Sequence, residues 1–188
     1  MDPATLKLET QRLILRPLAV DEAPLLAKLT NDSIHTLQPW LAFAQEPQHV
    51  EDTRKFLTSA WEDMKNDKHM EAGVFLKDGT LIGMCGYKTN TPFIEGYEIG
   101  YWLSYTHIGQ GYMSEAVKVV ADFCFTQKSA QRVWAWVLKE NEPSRKVLER
   151  CNFIYEARLR NAGKTPAGAV CDKLIYAHTP KSWKKHTT

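Results

Sequence analysis

Apolar and polar residues alternate in seven short runs of the chain, and this period of two is the pattern of β-strands. Two of the runs flank Asp78-Gly79, a dipeptide typical of tight hairpin turns, so these two strands are expected to pair antiparallel. The predicted strands are Leu6 to Leu18, Glu71 to Leu76, Leu81 to Tyr87, Glu95 to Leu103, Arg132 to Leu138, Phe153 to Leu159 and Val170 to His178.

Apolar residues at spacings of three and four predict helices between these strands. The first helix has Asp21 as a candidate N-cap and Pro24 in its first turn, and it is expected to end at the turn-prone residues 31–33. The segment Ile34 to Gln48 contains two prolines and is expected to be irregular or briefly helical. The later helices are expected over Val50 to Asn66, Gly111 to Gln127 and Pro143 to Arg150.

The resulting order, β-α-α-β-β-β-α-β-α-β-β, predicts the mixed α/β class. We expect a central, mostly antiparallel sheet of seven strands with helices on both faces. Residues 1–180 are expected to form a single domain, because no linker or internal repeat interrupts the pattern. Residues 181–188, which include Lys181, Lys184 and Lys185, are expected to form a flexible basic tail.

Composition then narrows the functional classes. The chain has 188 residues, of which 44% are hydrophobic and 24% charged, and these values indicate one globular domain rather than a disordered or fibrous protein. Lysine and arginine number 24 against 22 aspartates and glutamates, so the formal charge of +2 gives no indication of nucleic-acid binding. No run approaches the roughly 20 apolar residues of a membrane helix. The expected location is the cytoplasm.

The four cysteines stand singly in the sequence, at Cys85, Cys124, Cys151 and Cys171. Without a Cys-x-x-Cys pair, neither a zinc knuckle nor a thioredoxin-like motif is indicated. Reduced thiols are the simpler expectation, and no metal site is expected.

The segment His107 to Ala116 is the most informative candidate for chemistry, since it joins a predicted strand to a predicted helix. Its Gly-x-Gly at residues 109–111 lets the backbone approach a ligand closely, and the first N–H groups of a helix have no partner within the helix. Together they form an anion site that suits a pyrophosphate. A plain strand-to-helix turn remains the alternative. The segment matches neither a Rossmann fingerprint nor a Walker loop.

In this context the sequence resembles the GNAT superfamily of acyl-coenzyme A dependent N-acetyltransferases, over nearly the whole chain from Leu8 to Ala177. Within the superfamily it is similar to the RimJ/RimL-like branch that acetylates the N-termini of ribosomal proteins. The segments that carry the resemblance are residues 37–41, residues 51–55, Gly96 to Ala116, Asn141 with Ser144, and Arg150 with Phe153.

The resemblance implies that acetyl-coenzyme A (acetyl-CoA) is the cosubstrate and that backbone N–H groups of the loop hold its pyrophosphate. It further implies a backbone contact at Leu103 and a hydrogen bond from Asn141 to the pantetheine arm, although Asn141 is alternatively only an N-cap. Two positions depart from the family pattern, because Ile108 replaces a glutamine or arginine and Met113 a small residue. The implied cofactor-binding residues are Leu103, Gly109, Gln110, Gly111, Tyr112, Met113, Ser114 and Asn141.

Acetyl transfer needs a neutral amine, and the resemblance makes Glu98 the candidate base; the alternative is a glutamate on a solvated strand face. Ser144 is the implied proton donor to the departing thiolate, because Leu148 stands where many family members have a tyrosine. The alternative for Ser144 is a hydroxyl that bonds its own helix backbone. Gly163 stands where the branch carries a glutamate, which shifts the base role to Glu98 or a water relay.

The acceptor site is expected between the variable segments: Ile34 to Phe43, the hairpin edge Tyr87 to Phe93, and the loop Arg160 to Gly168. His35, Trp40 and Tyr87 are the candidate contacts, with burial in the core as the alternative for Trp40.

The expected reaction is acetylation of a primary amine, with the N-terminal α-amine of a (ribosomal) protein as the first hypothesis. A small amine such as a polyamine, an amino acid or an aminoglycoside is the second. A non-catalytic acyl-CoA binding module is the third. A homodimer is common among relatives and is allowed by the resemblance.

Overall fold

The computed structural model describes residues 2–89 and 94–187. Its strands are β1 (Leu8–Glu9), β2 (Leu13–Arg16), β3 (His69–Leu76), β4 (Leu81–Thr89), β5 (Gly96–Leu103), β6 (Arg132–Leu138), β7 (Ile154–Lys164) and β8 (Val170–His178). Its helices are α1 (Ala23–Asp32), α2 (Ile34–Leu37), α3 (Val50–Lys65), α4 (Tyr112–Gln127), α5 (Glu142–Arg150) and α6 (Pro180–Thr187).

All the strands form one eight-stranded sheet in the order β1-β2-β3-β4-β5-β6-β8-β7. Every neighbouring pair is antiparallel except β5 and β6, which run parallel. The mixed, mostly antiparallel sheet is therefore confirmed, with eight strands within residues 2–89 and 94–187 in place of the expected seven.

The additional strand comes from the segment Leu6 to Leu18, which was expected to be one strand. The chain turns back at residues 10–12, and Leu8 of β1 then pairs with Leu15 of β2. Thr10 closes this turn, because its backbone N–H donates to the carbonyl of Leu13 and its hydroxyl accepts from the N–H of Leu13. These local hydrogen bonds break the alternation into two antiparallel pieces.

Helices cover both faces of the sheet, as expected. On one face α4 buries its apolar side, formed by Ala116, Val117, Val120, Ala121 and Cys124. On the other face α1 and α3 cover the first strands of the sheet, and the residues buried there include Leu26, Leu57, Phe75 and Met84. Beyond those strands, residues of β5 and β6 line a cleft.

The parallel pair β5–β6 positions the site. Its pairing spans only Gly96 to Glu98 on β5, against Arg132 to Trp134 on β6. The two strands diverge after Glu98, while β4 stays paired with β5 as far as Leu103. The backbone of residues 99–103 therefore turns one unpaired edge toward the gap between β5 and β6.

Residues 181–188 were expected to form a flexible tail, but residues 181–187 belong to helix α6. The side chain of Trp183 is buried, its ring stacks on Phe125 at 5.5 Å between centroids, and its indole N–H donates to Asp122. Ser182 caps the helix start by accepting from the backbone N–H of Thr179. One apolar anchor thus fixes a segment that is otherwise basic.

Two further expectations concern a membrane-spanning helix and a metal site. None of the helices in the described part of the chain is long and apolar enough to cross a membrane. Among residues 2–89 and 94–187, no group of three or more His, Cys, Asp or Glu side chains is arranged to hold a metal ion. All four cysteines are free thiols, and three of them are buried.

Candidate active site

A cleft of about 490 Å³ opens where β5 and β6 diverge. Its walls are residues 98–103 of β5, residues 135–138 of β6, and the N-terminal parts of α4 and α5. Leu37 at the end of α2, with Trp40 and Leu41 after it, completes the lining. The cleft brings together ten of the predicted site residues: Trp40, Glu98, Leu103, Gly109, Gly111, Tyr112, Met113, Ser114, Asn141 and Ser144.

The loop before α4 has the backbone that its glycines predict. Gly109 and Gly111 have φ of +83° and +80°, in the left-handed region that glycine adopts without strain. Gly111 is the N-cap of α4, so the first amides of the helix face the cleft. Ser114 adds a hydroxyl whose oxygen is buried and finds no hydrogen-bond partner among the described residues. This part of the cleft suits a bound anion such as a diphosphate.

Arg12, from the turn between β1 and β2, orders this loop and was missed in the sequence. Its Nη1 donates to the carbonyl of Gln110 at 3.0 Å, and its guanidinium lies 4.6 Å from the ring centroid of Tyr112. Its Nε donates to Glu115 at 2.7 Å. Burial alone would raise the pKa of Glu115, but hydrogen bonds from Thr10 and Arg12 lower it below its ordinary value. The carboxylate therefore stays ionised and holds Arg12 in place.

Substitution of Arg12 tests this arrangement. We expect Arg12→Met to raise KM for acetyl-CoA about fivefold, since hydrogen bonds worth about 1 kcal/mol order the loop. Steady-state kinetics with varied acetyl-CoA measure the change. Arg132→Met is the matched control, because it removes a similar arginine–glutamate pair, with Glu156, outside the cleft lining. An equal rise of KM in both variants would contradict a specific role of Arg12 at the loop.

Glu98 lies on the side of β5 opposite Tyr97 and Ile99, as the alternation predicts. The side chains of Tyr97 and Ile99 are buried, whereas that of Glu98 is half-buried. The indole N–H of Trp136 on β6 donates to Glu98 Oε1 at 2.9 Å. The ammonium of Lys173 lies 3.7 Å from the ring centroid of that tryptophan. Glu98 is therefore held at the point where the two strands separate, and it lines the cleft.

Asn141 and Ser144 start helix α5 on the other side of the cleft. Asn141 is the N-cap, and its Oδ1 accepts from the backbone N–H of Ser144 at 3.2 Å. Its side-chain nitrogen makes no hydrogen bond within residues 2–89 and 94–187, so it is available to a ligand in the cleft. The hydroxyl of Ser144 donates to Tyr101 Oη at 3.1 Å instead of to a carbonyl of its own helix. Tyr101 is a second residue that the sequence analysis missed.

One of the three predicted acceptor contacts, Tyr87, needs correction. Tyr87 is 1% exposed and packs on Tyr97 at 5.0 Å between ring centroids, because its position in β4 turns it toward α4. His35 is exposed and packs on Tyr105 outside the cleft lining. Trp40 lines the cleft and is half-buried, which excludes the alternative that it lies wholly in the core.

Gln110, Gly163 and the hairpin edge Tyr87 to Phe93 also differ from expectation or lie partly outside the described residues. Gln110 does not line the cleft, since its part in the loop is the carbonyl that Arg12 holds. Gly163 belongs to β7 rather than to a loop, and a Cβ there would lie 3.0 Å from Leu138. The predicted hairpin edge Tyr87 to Phe93 falls in part on residues 90–93, which lie outside the described residues.

Known proteins share both the sequence pattern and the fold. A family model for an acetyltransferase (GNAT) domain matches residues 12–154. The chain is 29% identical over 175 residues to a putative ribosomal N-acetyltransferase, YdaF, of Bacillus subtilis (strain 168), with 93% of this chain and 94% of the relative covered. It is 31% identical over 127 residues to the ribosomal-protein-serine acetyltransferase of Escherichia coli (strain K12), with 67% and 70% covered.

The fold is similar to that of a solved structure with a bound coenzyme. The structure of Mycobacterium smegmatis RimJ in complex with CoA-disulfide superposes with a TM-score of 0.80 at 25% identity, over 90% of this chain and 82% of that chain.

Proposed function

Because the chain belongs to the GNAT acetyltransferase family, we propose that it transfers an acetyl group from acetyl-CoA to the N-terminal α-amine of a protein, with ribosomal proteins as the substrate class. The observation that carries the proposal is the cleft at the parted strands, which has Glu98 on one wall and Ser144 on the other. Two relatives named for ribosomal N-acetylation support the substrate class. Ribosomal acceptors would place the protein in the cytoplasm.

The cosubstrate is acetyl-CoA, which supplies an acetyl group activated as a thioester. We assign the pyrophosphate to the first amides of α4, from Gly109 to Ser114, because Gly109 and Gly111 hold the loop open there. The unpaired edge of β5 near Leu103 and the side-chain nitrogen of Asn141 remain to bind the amides of the pantetheine arm. Apart from Gln110, the residues that carry these groups line the cleft.

Glu98 and Ser144 divide the proton transfers in this proposal. An α-amine has a pKa of about 8, so at neutral pH it must lose a proton before it attacks. Glu98 accepts that proton directly or through a water molecule, and Trp136 keeps its carboxylate in place. Ser144 donates to the sulfur that leaves. A backbone N–H on the open edge of β5 stabilises the charge that develops on the thioester oxygen.

The charges along the cleft favour a peptide over a polyamine. Its lining includes the carboxylates of Glu98 and Glu142, and the cations of Lys146 and Arg150. A polyamine with several positive charges finds no net negative wall there. Trp40, together with Trp102 and Trp136, adds apolar surface that suits the first side chains of a peptide.

A panel of acceptors tests this proposal. We expect acetyl-CoA to release free thiol, detected with a thiol-reactive chromophore, when a peptide with a free N-terminus is added. The same peptide with a blocked N-terminus is the control. Release with a polyamine, an amino acid or an aminoglycoside, and none with peptides, would support the small-amine alternative instead. Tight binding of acetyl-CoA without thiol release in any sample would support the non-catalytic binding module.

Glu98→Gln separates the charge of this residue from its position, since the amide oxygen can still accept from Trp136. We expect kcat to fall by at least about tenfold at pH 7, as for loss of a general base. The deficit should shrink as the pH rises above about 8, where the amine is already neutral. Glu62→Gln on the exposed side of α3 is the control. A deficit that is constant from pH 7 to pH 9.5 would argue against Glu98 as the base.

A further inference from the structure

Tyr101 on β5 and Ser144 on α5 form a contact across the floor of the cleft. The phenol of Tyr101 donates to the backbone carbonyl of Ser144 at 2.9 Å, and the hydroxyl of Ser144 donates to Tyr101 Oη at 3.1 Å. Both residues line the cleft. One phenol is thus joined to both polar groups of the residue assigned to the leaving-group step.

The surroundings keep this phenol protonated. Burial raises the pKa of Tyr101 well above its ordinary value, although the hydrogen bond with Ser144 acts in the opposite direction. The phenol therefore has one proton and two oxygens of Ser144 within reach, the carbonyl oxygen and Oγ. A rotation of its O–H bond moves the donated hydrogen bond from one to the other.

The leucine at position 148 leaves α5 without the tyrosine hydroxyl that the family resemblance places there. The family resemblance places a tyrosine on α5 at that position, but Leu148 is completely buried in the core, one helical turn after Ser144. Leu148 therefore supplies no hydroxyl to the cleft. Tyr101 brings a phenol to the same helical turn from the neighbouring strand.

We propose that Tyr101 is the positioning residue for Ser144 in thiolate departure. This inference rests on the proposed function, in which Ser144 donates to the sulfur. When the Ser144 hydroxyl donates to the sulfur, it no longer donates to Tyr101 Oη. The phenol O–H of Tyr101 then rotates away from the Ser144 carbonyl and donates to Ser144 Oγ. The serine hydroxyl is then oriented toward the cleft and made a stronger donor.

The chemical balance of the step is simple. The amine nitrogen forms the C–N bond, the C–S bond breaks, and its electron pair stays on the sulfur. The charged amine gives up two protons. Glu98 takes the first before attack and passes it to solvent, and the second leaves the nitrogen as the amide forms and replaces the proton that Ser144 has given to the sulfur. Tyr101 keeps its proton throughout, and the step needs no further reactant.

A purely structural role of Tyr101 is the rival explanation, because its bond to the carbonyl of Ser144 also ties α5 to β5. The two explanations differ in whether the effect of removing the Tyr101 phenol depends on the Ser144 hydroxyl. If Tyr101 acts through the Ser144 hydroxyl, its removal has no further effect once that hydroxyl is gone. If it only anchors the helix, its effect is the same with and without the hydroxyl.

Kinetics of Tyr101→Phe, Ser144→Ala and the double variant measure this coupling. We expect Tyr101→Phe to lower kcat about tenfold with KM for acetyl-CoA within about twofold, as for one lost hydrogen bond in the reacting state. In the Ser144→Ala background the same change should alter kcat by less than twofold. Tyr97→Phe is the matched control, since this tyrosine lies on the same strand and side but outside the cleft lining. Unchanged kcat in Tyr101→Phe, or effects that multiply in the double variant, would overturn the proposal.

A binding measurement gives a readout without turnover. At pH 9, where a thiol with a pKa of about 8.5 is largely ionised, the wild-type protein should bind coenzyme A several-fold more tightly than desulfo-coenzyme A in calorimetric titrations. Tyr101→Phe should remove most of this preference and Tyr97→Phe none of it. No preference in the wild type, or an unchanged preference in Tyr101→Phe, would contradict the proposed pair. A protein with the preference but without thiol release would contradict the proposed function and still support the pair.

Discussion

Ser144→Ala is expected to lower kcat about 100-fold, the typical contribution of a positioned acid to proton transfer. The substitution removes only the hydroxyl, because the N-cap bond of Asn141 goes to the backbone N–H of residue 144 and is kept. The KM for acetyl-CoA should therefore stay within about twofold, since the amides that hold the cosubstrate are untouched. Initial rates of thiol release at varied acetyl-CoA concentrations give both constants.

Ser59→Ala is a matched control for this experiment, because Ser59 is exposed on α3 and outside the cleft lining. The hydrogen bond between Ser144 and Tyr101 is also lost in Ser144→Ala, so a modest fall of the melting temperature is expected, equivalent to about 1 kcal/mol. A loss of kcat below about threefold in a folded variant would remove Ser144 from the mechanism.

Gly111→Val is expected to weaken acetyl-CoA binding about 30-fold. At φ of +80° a β-branched residue is strained by about 2 kcal/mol, so the loop leaves the geometry that presents its amides. Crowding is not the cause, because the nearest atom to a Cβ at Gly111 is the flexible Nη2 of Arg12 at 3.6 Å. Calorimetric titration with coenzyme A measures the dissociation constant.

Gly79→Val separates the effect on the site from a general loss of stability. Gly79 has φ of +91° in the β3–β4 turn, and none of the described residues has an atom within 4 Å of a Cβ there, so its strain is similar. We expect this variant to lose stability and to keep its affinity for coenzyme A. Unchanged affinity in Gly111→Val would contradict the assignment of the loop to the pyrophosphate.

Regular elements were predictable where the apolar period is long and uninterrupted. The strand Arg132–Leu138 has the predicted bounds, and helix α4 begins within one residue of the expected Gly111. The period of two also placed Glu98 on the correct side of β5. These features depend on neighbouring residues alone, which is why the sequence pattern reports them.

Features that depend on distant partners were not predictable. Helix α6 forms around Trp183, whose place in the core is set by Phe125 on α4. The bonds from Arg12 to Gln110 and from Ser144 to Tyr101 join residues 98 and 43 positions apart. No periodicity in the sequence records such contacts. Their only signals are an arginine before β2 and a tyrosine on the cleft strand.

The family resemblance is confirmed by the match of the GNAT model to residues 12–154. It identified the cleft elements because the loop before α4 and the start of α5 carry short motifs. It misplaced Tyr87, since this residue lies outside the segments that carry the resemblance and its burial follows from packing on Tyr97.

The most direct test of the proposed reaction is to locate the acetyl group on one peptide that has both a free N-terminus and an internal lysine. The peptide is incubated with the protein and acetyl-CoA, and fragment masses assign the modified amine. We expect one acetyl group on the α-amine, none on the lysine, and about 100-fold less product with Ser144→Ala over the same time. An acetyl group on the lysine alone, or an unmodified peptide beside an acetylated polyamine, would contradict N-terminal acetylation.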